Sequence, residues 1–306
     1  MSAEPPTAEL QVAERLQDRV RGLLLGLAMG DALAAPAQFR RAGTFGRVAD
    51  LLGGGPYDLP RGAWSDDAAT ALLCAEVFAE SGSPGCEDIL QRWASWRRDG
   101  MGSSTGQCLG ISAAMAAAVS GGARPGVAAD PQAEPLPRAA VMAVVALSDI
   151  ETAADLAADV ARLTHPQTEV LGAAREFAKW VVRALEGVPK ESLFVPQSEM
   201  IADGDGDLGV DAARGDARSV LRLCRGVLSS TASYKEAVLK AINAGGHADV
   251  TGAAVGALAG AAYGARSLPV HWLQSLYARE RIEQLADQLL VTALTRLLEE
   301  PDKVRA

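Results

Sequence analysis

Two short runs place hard oxygen donors at helix starts: Trp64-Ser65-Asp66-Asp67, ahead of the apolar run 68–73, and His247-Ala248-Asp249, ahead of the apolar run from Val250. Adjacent carboxylates and a hydroxyl projecting from one helix start offer several ligands to Mg²⁺ or Mn²⁺, cations that prefer oxygen. A plain structural reading exists beside this one. Ser65 and Asp249 are N-cap residue types, and Asp66 and Asp67 in a first turn face the positive end of the helix dipole. Neither run completes a cation site alone, so the pair is more informative than either.

Other positions ask for partners. Asp31 sits inside the apolar, glycine-interrupted stretch Gly22-Leu23-Leu24-Leu25-Gly26-Leu27-Ala28-Met29-Gly30-Asp31-Ala32, where an unpaired charge costs several kcal/mol. It is either a buried structural acceptor or part of a ligand site, and the glycines permit close helix packing. His165, before Pro166, is either a helix-end dipole partner or a site residue. Asp203-Gly204-Asp205-Gly206-Asp207 invites a calcium reading. It fails the EF-hand spacing, because Leu208 stands at the glycine position and Arg214 at the bidentate acid, so an acidic loop is expected. No phosphate-binding lysine loop, dinucleotide fingerprint, HExxH helix or nucleophile elbow is found.

The elements that must position these residues are helices. Apolar residues recur at helical spacing, as in Leu156, Val160, Leu163 and then Val170, Ala174, Phe177, Val181, Leu185, whereas alternating β-branched runs are almost absent. The pattern predicts helices over 10–28, 66–81, 86–97, 104–119, 138–147, 151–164, 168–187, 217–227, 233–244, 250–265 and 279–299. The fold class is all-α. Ser233-Tyr234-Lys235-Glu236 has capping-box spacing, and Gly245-Gly246 is a helix stop. Segments 120–137 and 188–216 read as surface loops within one domain spanning 10–306, after a loose tail over 1–9.

The bulk properties set limits on partners. The 306 residues carry 29 basic and 38 acidic side chains, a formal charge of -9. Without a basic patch, that balance disfavours nucleic acid and anionic membrane surfaces. The apolar stretch 250–265 is too short to cross a hydrocarbon layer of about 30 Å and reads as a buried helix. Cys74, Cys86, Cys108 and Cys224 lack metal or disulfide spacing, and a reducing cytoplasm is expected.

Taken in order, 26–39, 64–73, 163–166 and 245–260, with the ending Leu268-Pro269-Val270-His271-Trp272-Leu273, resemble the ADP-ribosylglycohydrolase family of the dinitrogenase reductase-activating type. The resemblance implies a single compact helical domain with one or two Mg²⁺ or Mn²⁺ ions in a central cleft. There ADP-ribose is cleaved from arginine, serine or another acceptor through an N- or O-glycosidic bond. It implies metal ligands at Ser65, Asp66, Asp67 and Asp249, with His247 at the position of a further acid. Asp67, Asp31 and Gln38 are implied at the reacting centre, and His165, Gly246 and Ser104 at the substrate, although Ser104 is equally a helix N-cap type.

The departures cluster. His247 and Val250 replace an acid and a hydroxyl of the C-terminal motif, and imidazole suits Zn²⁺, Mn²⁺ or Fe²⁺ better than Mg²⁺. Thr251 is no simple substitute for the missing hydroxyl, being about 100° further round a helix. Gln38 stands where the family has glutamate, and it can hydrogen-bond but not act as a base. An Asn-Gly-x-x-x-Arg segment is reduced to Arg138. Two readings follow: a divergent metal-dependent hydrolase of an ADP-ribosyl or related compound, or an inactive pseudoenzyme that binds nucleotide or another partner.

Overall fold

The helical periodicity is realised in a computed structural model that describes residues 8–83, 85–121, 132–195 and 208–299. Thirteen α-helices form among the described residues: α1 (Ala8–Ala34), α2 (Asp66–Ser81), α3 (Cys86–Asp99), α4 (Ala113–Ala118), α5 (Pro135–Val145), α6 (Ile150–Arg162), α7 (Thr168–Glu186), α8 (Leu208–Arg214), α9 (Ala217–Ser229), α10 (Tyr234–Ile242), α11 (Ala248–Tyr263), α12 (Val270–Ser275) and α13 (Arg279–Glu299). Strands are absent among the described residues, where three isolated bridges occur.

The central contact follows from glycine spacing. Gly22, Gly26 and Gly30 fall four apart on one face of α1, as do Gly252, Gly256 and Gly260 on α11. The two stripes meet antiparallel, Gly22 on Gly260, Gly26 on Gly256 and Gly30 on Gly252. A Cβ added at Gly26 would lie 2.3 Å from the Gly256 carbonyl oxygen, and one at Gly30 would lie 1.9 Å from that of Gly252. Only residues without side chains allow this approach. Its consequence is positional: Asp31 follows the last glycine of α1 and Asp249 precedes the first of α11, so the crossing brings both acids to one end. By length and composition α1 could span a bilayer, yet most of it is buried inside the protein.

Several boundaries differ from the sequence expectation. The helix expected over 104–119 forms only as α4, because Gly106 and Gly110 adopt φ of 74° and 82° and keep the preceding segment as a loop. Helix α1 continues past 28 to Ala34, carried by its packing on α11. Helices α8 and α12 were not expected; each is too short to display a period. Of the tail expected over 1–9, residues 1–7 lie outside the described residues, and Glu9 already belongs to α1. The acidic run 203–207 also lies outside them, as do 122–131 and 196–202 of the two expected loops.

Candidate active site

The start of α2 is held from outside. Ser65 occupies the N-cap position, but its side chain accepts no cap bond. Instead Asp31 supplies the acceptors: its Oδ1 accepts from the Ser65 N–H (2.9 Å) and the Ser65 hydroxyl (2.8 Å), and its Oδ2 accepts from the Ala68 N–H (2.8 Å). An N-cap normally serves the third helical N–H with its own side chain, and here a residue 37 positions earlier does so. Burial pushes Asp31 up to about 7, against the pull of these three bonds and with the Asp249 charge adding to the rise. With both oxygens engaged, Asp31 positions the α2 turn.

That turn points Asp66 and Asp67 at Asp249. One carboxylate oxygen from each of the three lies within 4.8 Å of the others. Asp66 Oδ1, Asp67 Oδ1 and Asp249 Oδ1 are all enclosed and have no hydrogen-bond partner among the described residues. Buried oxygens left this way cost free energy unless a donor or cation meets them. Burial and then Asp249, Glu134 and Asp31 push Asp66 well above the carboxylate range. Asp67 is raised likewise, by burial and then by Asp66, Asp249, Asp31 and Glu134. Burial also raises Asp249, opposed by the Val250 N–H, His247 and Gln38. Opposed oxygens around a hard cation bonded at about 2.0–2.5 Å stand about 4–5 Å apart, so the donor set fits a divalent cation. Asp66 is partly exposed as a residue, and its carboxylate lies against the loop before α4, where a Cβ at Gly110 would fall 2.1 Å from Oδ1.

The remaining sequence candidates take distinct places. Gln38 is buried and its amide donates to Asp249 Oδ2. The ring of His247 is not part of the carboxylate group: it lies edge-on to Phe39, 5.8 Å between centroids, and over Gly215, where a Cβ would meet it at 2.2 Å. The Val250 side chain is buried and carries no polar atom, and the Thr251 hydroxyl donates back to His247 O at 3.0 Å. Ser65 Oγ spends its proton on Asp31. Ser104 Oγ both accepts from Trp64 N–H (3.0 Å) and donates to Trp64 O (2.7 Å), fastening the loop of 100–112 to the residue before Ser65. Gly246 donates its N–H to Arg40 O and accepts from Phe39 N–H, both at 2.7 Å, at φ 62°.

A second polar line runs beside the three aspartates. Arg138 is fully buried, lies over the Trp93 ring at 4.9 Å, reaches Glu134 at 3.3 Å and donates to Thr164 Oγ1. Thr164 Oγ1 in turn lies 2.8 Å from His165 Nδ1. Burial lowers the His165 imidazole to about 4, with Arg138 reinforcing and Glu134 opposing, so the ring is neutral at physiological pH. Glu134, whose charge reaches Asp66, Asp67 and His165, was not singled out in the sequence, although its position four before Arg138 was a readable signal. Gly110 had no signal, since its partner lies 44 residues away.

A model of the family described as ADP-ribosylglycohydrolase matches residues 13–299. The chain belongs to the ADP-ribosylglycohydrolase family. Among its relatives is the ADP-ribosylarginine hydrolase Tri1 of Pseudomonas putida (strain GB-1), 26% identical over 90% of this chain and 79% of the relative. The enzyme of the same name from Serratia proteamaculans (strain 568) is 28% identical, covering 90% and 80%. The ADP-ribosyl-[dinitrogen reductase] glycohydrolase of Rhodospirillum rubrum is 28% identical over 91% of this chain and 97% of its own. A solved structure titled ADP-ribosylglycohydrolase-related protein complex superposes with a TM-score of 0.78 at 32% identity, covering 92% of this chain and 99% of that one. Membership in the ADP-ribosylglycohydrolase family carries hydrolysis of ADP-ribosyl linkages as the activity class.

Proposed function

We propose that the protein is a hydrolase dependent on Mg²⁺ or Mn²⁺ that releases ADP-ribose from an arginine-linked or related N- or O-ribosyl acceptor. The observation that carries this reading is the trio of buried, unpartnered oxygens on Asp66, Asp67 and Asp249. Such a set of like charges is costly without a cation and well suited to one. The relatives named for ADP-ribosylarginine support the acceptor class. A divalent cation bound there supplies Lewis acidity toward the ribose hydroxyls and the attacking water.

The chain's own groups divide the remaining work. Asp66, Asp67 and Asp249 hold the cation, and Asp31 fixes the backbone from which two of them project. Gln38 orients Asp249 through its amide and moves no proton. A carboxylate oxygen of Asp67 accepts the proton of the attacking water, and neutral His165 offers its free ring nitrogen to a substrate hydroxyl. Ser104 and Gly246 act through the loops they fasten, and His247 stands outside the cation's ligands.

Binding without turnover is the second reading, favoured by Gln38, which stands at the site in place of an acid. The deciding experiment incubates the protein with ADP-ribosylarginine and Mg²⁺ or Mn²⁺ and measures released ADP-ribose by chromatography, with EDTA and Asp66→Ala as controls. Cation-dependent release abolished by Asp66→Ala supports the hydrolase. Binding of ADP-ribose with no release supports the second reading, and calorimetry showing neither cation nor ADP-ribose binding would overturn both.

A further inference from the structure

The turn that follows α1 carries a residue its backbone does not ask for. Residues 37–40 form a type II turn: Gln38 takes φ -58° and ψ 128°, Phe39 takes φ 59°, and the Arg40 N–H donates to Ala37 O at 3.1 Å. The third position of such a turn favours glycine or asparagine, because a larger side chain there crowds the backbone. Phe39 is held in it from outside. Its N–H donates to Gly246 O and the Gly246 N–H donates to Arg40 O, both at 2.7 Å, so the turn is fastened to the residues that lead into α11.

Packing does not explain the ring. The Phe39 side chain is 56% exposed and belongs to neither apolar cluster of the core. It meets the His247 ring with centroids 5.8 Å apart and planes at 82°. In a right-angled contact one ring offers its edge, so at least one face of the phenyl is left uncovered by His247. A single exposed apolar side chain is ordinary on a surface. At a turn position where glycine is the cheaper residue, a phenyl ring that gains little burial points to a contact made outside the chain.

Bonded neighbours fix where that contact lies. Gln38, one residue earlier, donates its amide to Asp249 Oδ2, and Gly246, the backbone partner of Phe39, lies three residues before Asp249. Successive Cα atoms stand about 3.8 Å apart, so Phe39 borders the carboxylate group on its Asp249 side. A substrate whose reacting ribose is seated at those carboxylates carries its acceptor next to that ribose, whereas adenine is removed from it by a diphosphate and a second ribose. An arginine acceptor ends in a planar cation, the kind of group that an open aromatic face attracts.

We propose that Phe39 is a substrate-contacting residue whose open ring face stacks on the guanidinium of the arginine acceptor. The proposal rests on the hydrolase reading above and adds to it the residue that reads the acceptor.

The test compares the full-length protein with Phe39→Gly, which removes the ring and suits the turn, and with Phe39→Tyr, which keeps the aromatic face. ADP-ribose is titrated calorimetrically in Mn²⁺, initial rates of release from ADP-ribosylarginine give KM and kcat, and melting is followed in EDTA. Expected for Phe39→Gly are a Tm within about 2 °C of wild type, ADP-ribose affinity within about twofold, and a KM for ADP-ribosylarginine raised about three- to tenfold. Phe39→Tyr should stay close to wild type in all three. An unchanged KM in Phe39→Gly overturns the proposal and leaves the hydrolase reading standing. ADP-ribose affinity that falls as far as KM rises also overturns it, by placing the ring against the ADP-ribosyl part of the substrate. A Phe39→Gly protein that melts more than about 5 °C below wild type overturns it as well, because the ring then serves the fold. Wild-type protein that binds Mn²⁺ but releases no ADP-ribose overturns the hydrolase reading itself, and the Phe39 assignment with it.

Discussion

Replacing Asp66 by Asn should make the cation-free protein more stable while abolishing its response to cation. Asp66, Asp67 and Asp249 bring one oxygen each within 4.8 Å. At an effective dielectric constant of about 20, two unit charges about 5 Å apart repel by about 3 kcal/mol, a figure that proton uptake by the raised carboxylates partly relieves. Asp66→Asn removes two of the three pairwise repulsions, and a net gain of about 1–2 kcal/mol at pH 8 is expected. Wild-type protein at about 100 times Kd of Mn²⁺ should gain about 2.7 kcal/mol. At about 2 °C per kcal/mol for a chain of this size, that is a rise in Tm of about 5 °C.

The same pair of proteins separates by pH. The folded pKa values of Asp66 and Asp67 lie above the unfolded value of about 3.9. Between those values the folded protein holds more protons, so this contribution to stability is full below about pH 4 and is lost as pH rises through the folded values. His165 has the opposite slope: its folded pKa of about 4 lies below the unfolded value of 6.5, so its contribution is lost as pH falls between them. It is common to both proteins and cancels in the comparison. Differential scanning fluorimetry in EDTA and in Mn²⁺ from pH 5 to 8 reads both effects. An Asp66→Asn protein that melts below wild type in EDTA, or that keeps the Mn²⁺ shift, would show that the three carboxylates neither repel one another nor hold the cation together.

Three further outcomes are expected. Asp31→Asn replaces one acceptor oxygen by an amide donor facing N–H groups, and should cost about 1–3 kcal/mol in urea denaturation at pH 8 even without cation; unchanged stability would remove its role in holding α2. Gly26→Ala drives a methyl against the Gly256 carbonyl and should destabilise by about 1–3 kcal/mol or more, whereas Gly46→Ala, with nothing within 4 Å, should change the urea midpoint negligibly; equal midpoints for the two would refute the close contact. Gln38→Glu sets a carboxylate against Asp249, so Tm should fall in EDTA and recover with Mn²⁺, and a fall that Mn²⁺ leaves untouched would show that the fourth acid lies outside the cation's reach.

Much of the fold was readable because helical periodicity is local. The end of α2 at Gly82, whose N–H bonds to Phe78 O, and the α10 cap at Ser233, which accepts from Glu236 N–H at 3.2 Å, depend on residues about one turn apart. The two carboxylate runs were readable for the same reason. Where distant contacts decide, the expectation fails: the first part of the helix expected over 104–119 is a loop in which Gly106 and Gly110 take left-handed angles, Gly110 against Asp66, and α12 is too short to show a period.

Residue type and spacing along the chain suffice for the helical class, the glycine spacing and the oxygen donors offered at two helix starts, because each is local information. Which of those residues meet depends on how the helices pack. Antiparallel packing of the stripes brings Asp31 and Asp249 to one end, where Asp31 becomes the remote cap of α2 and Asp249 joins Asp66 and Asp67. The same packing turns His247 onto Gly215 and Phe39. A residue's neighbours across 37 or 211 positions follow from packing and backbone angle, quantities that no local spacing contains.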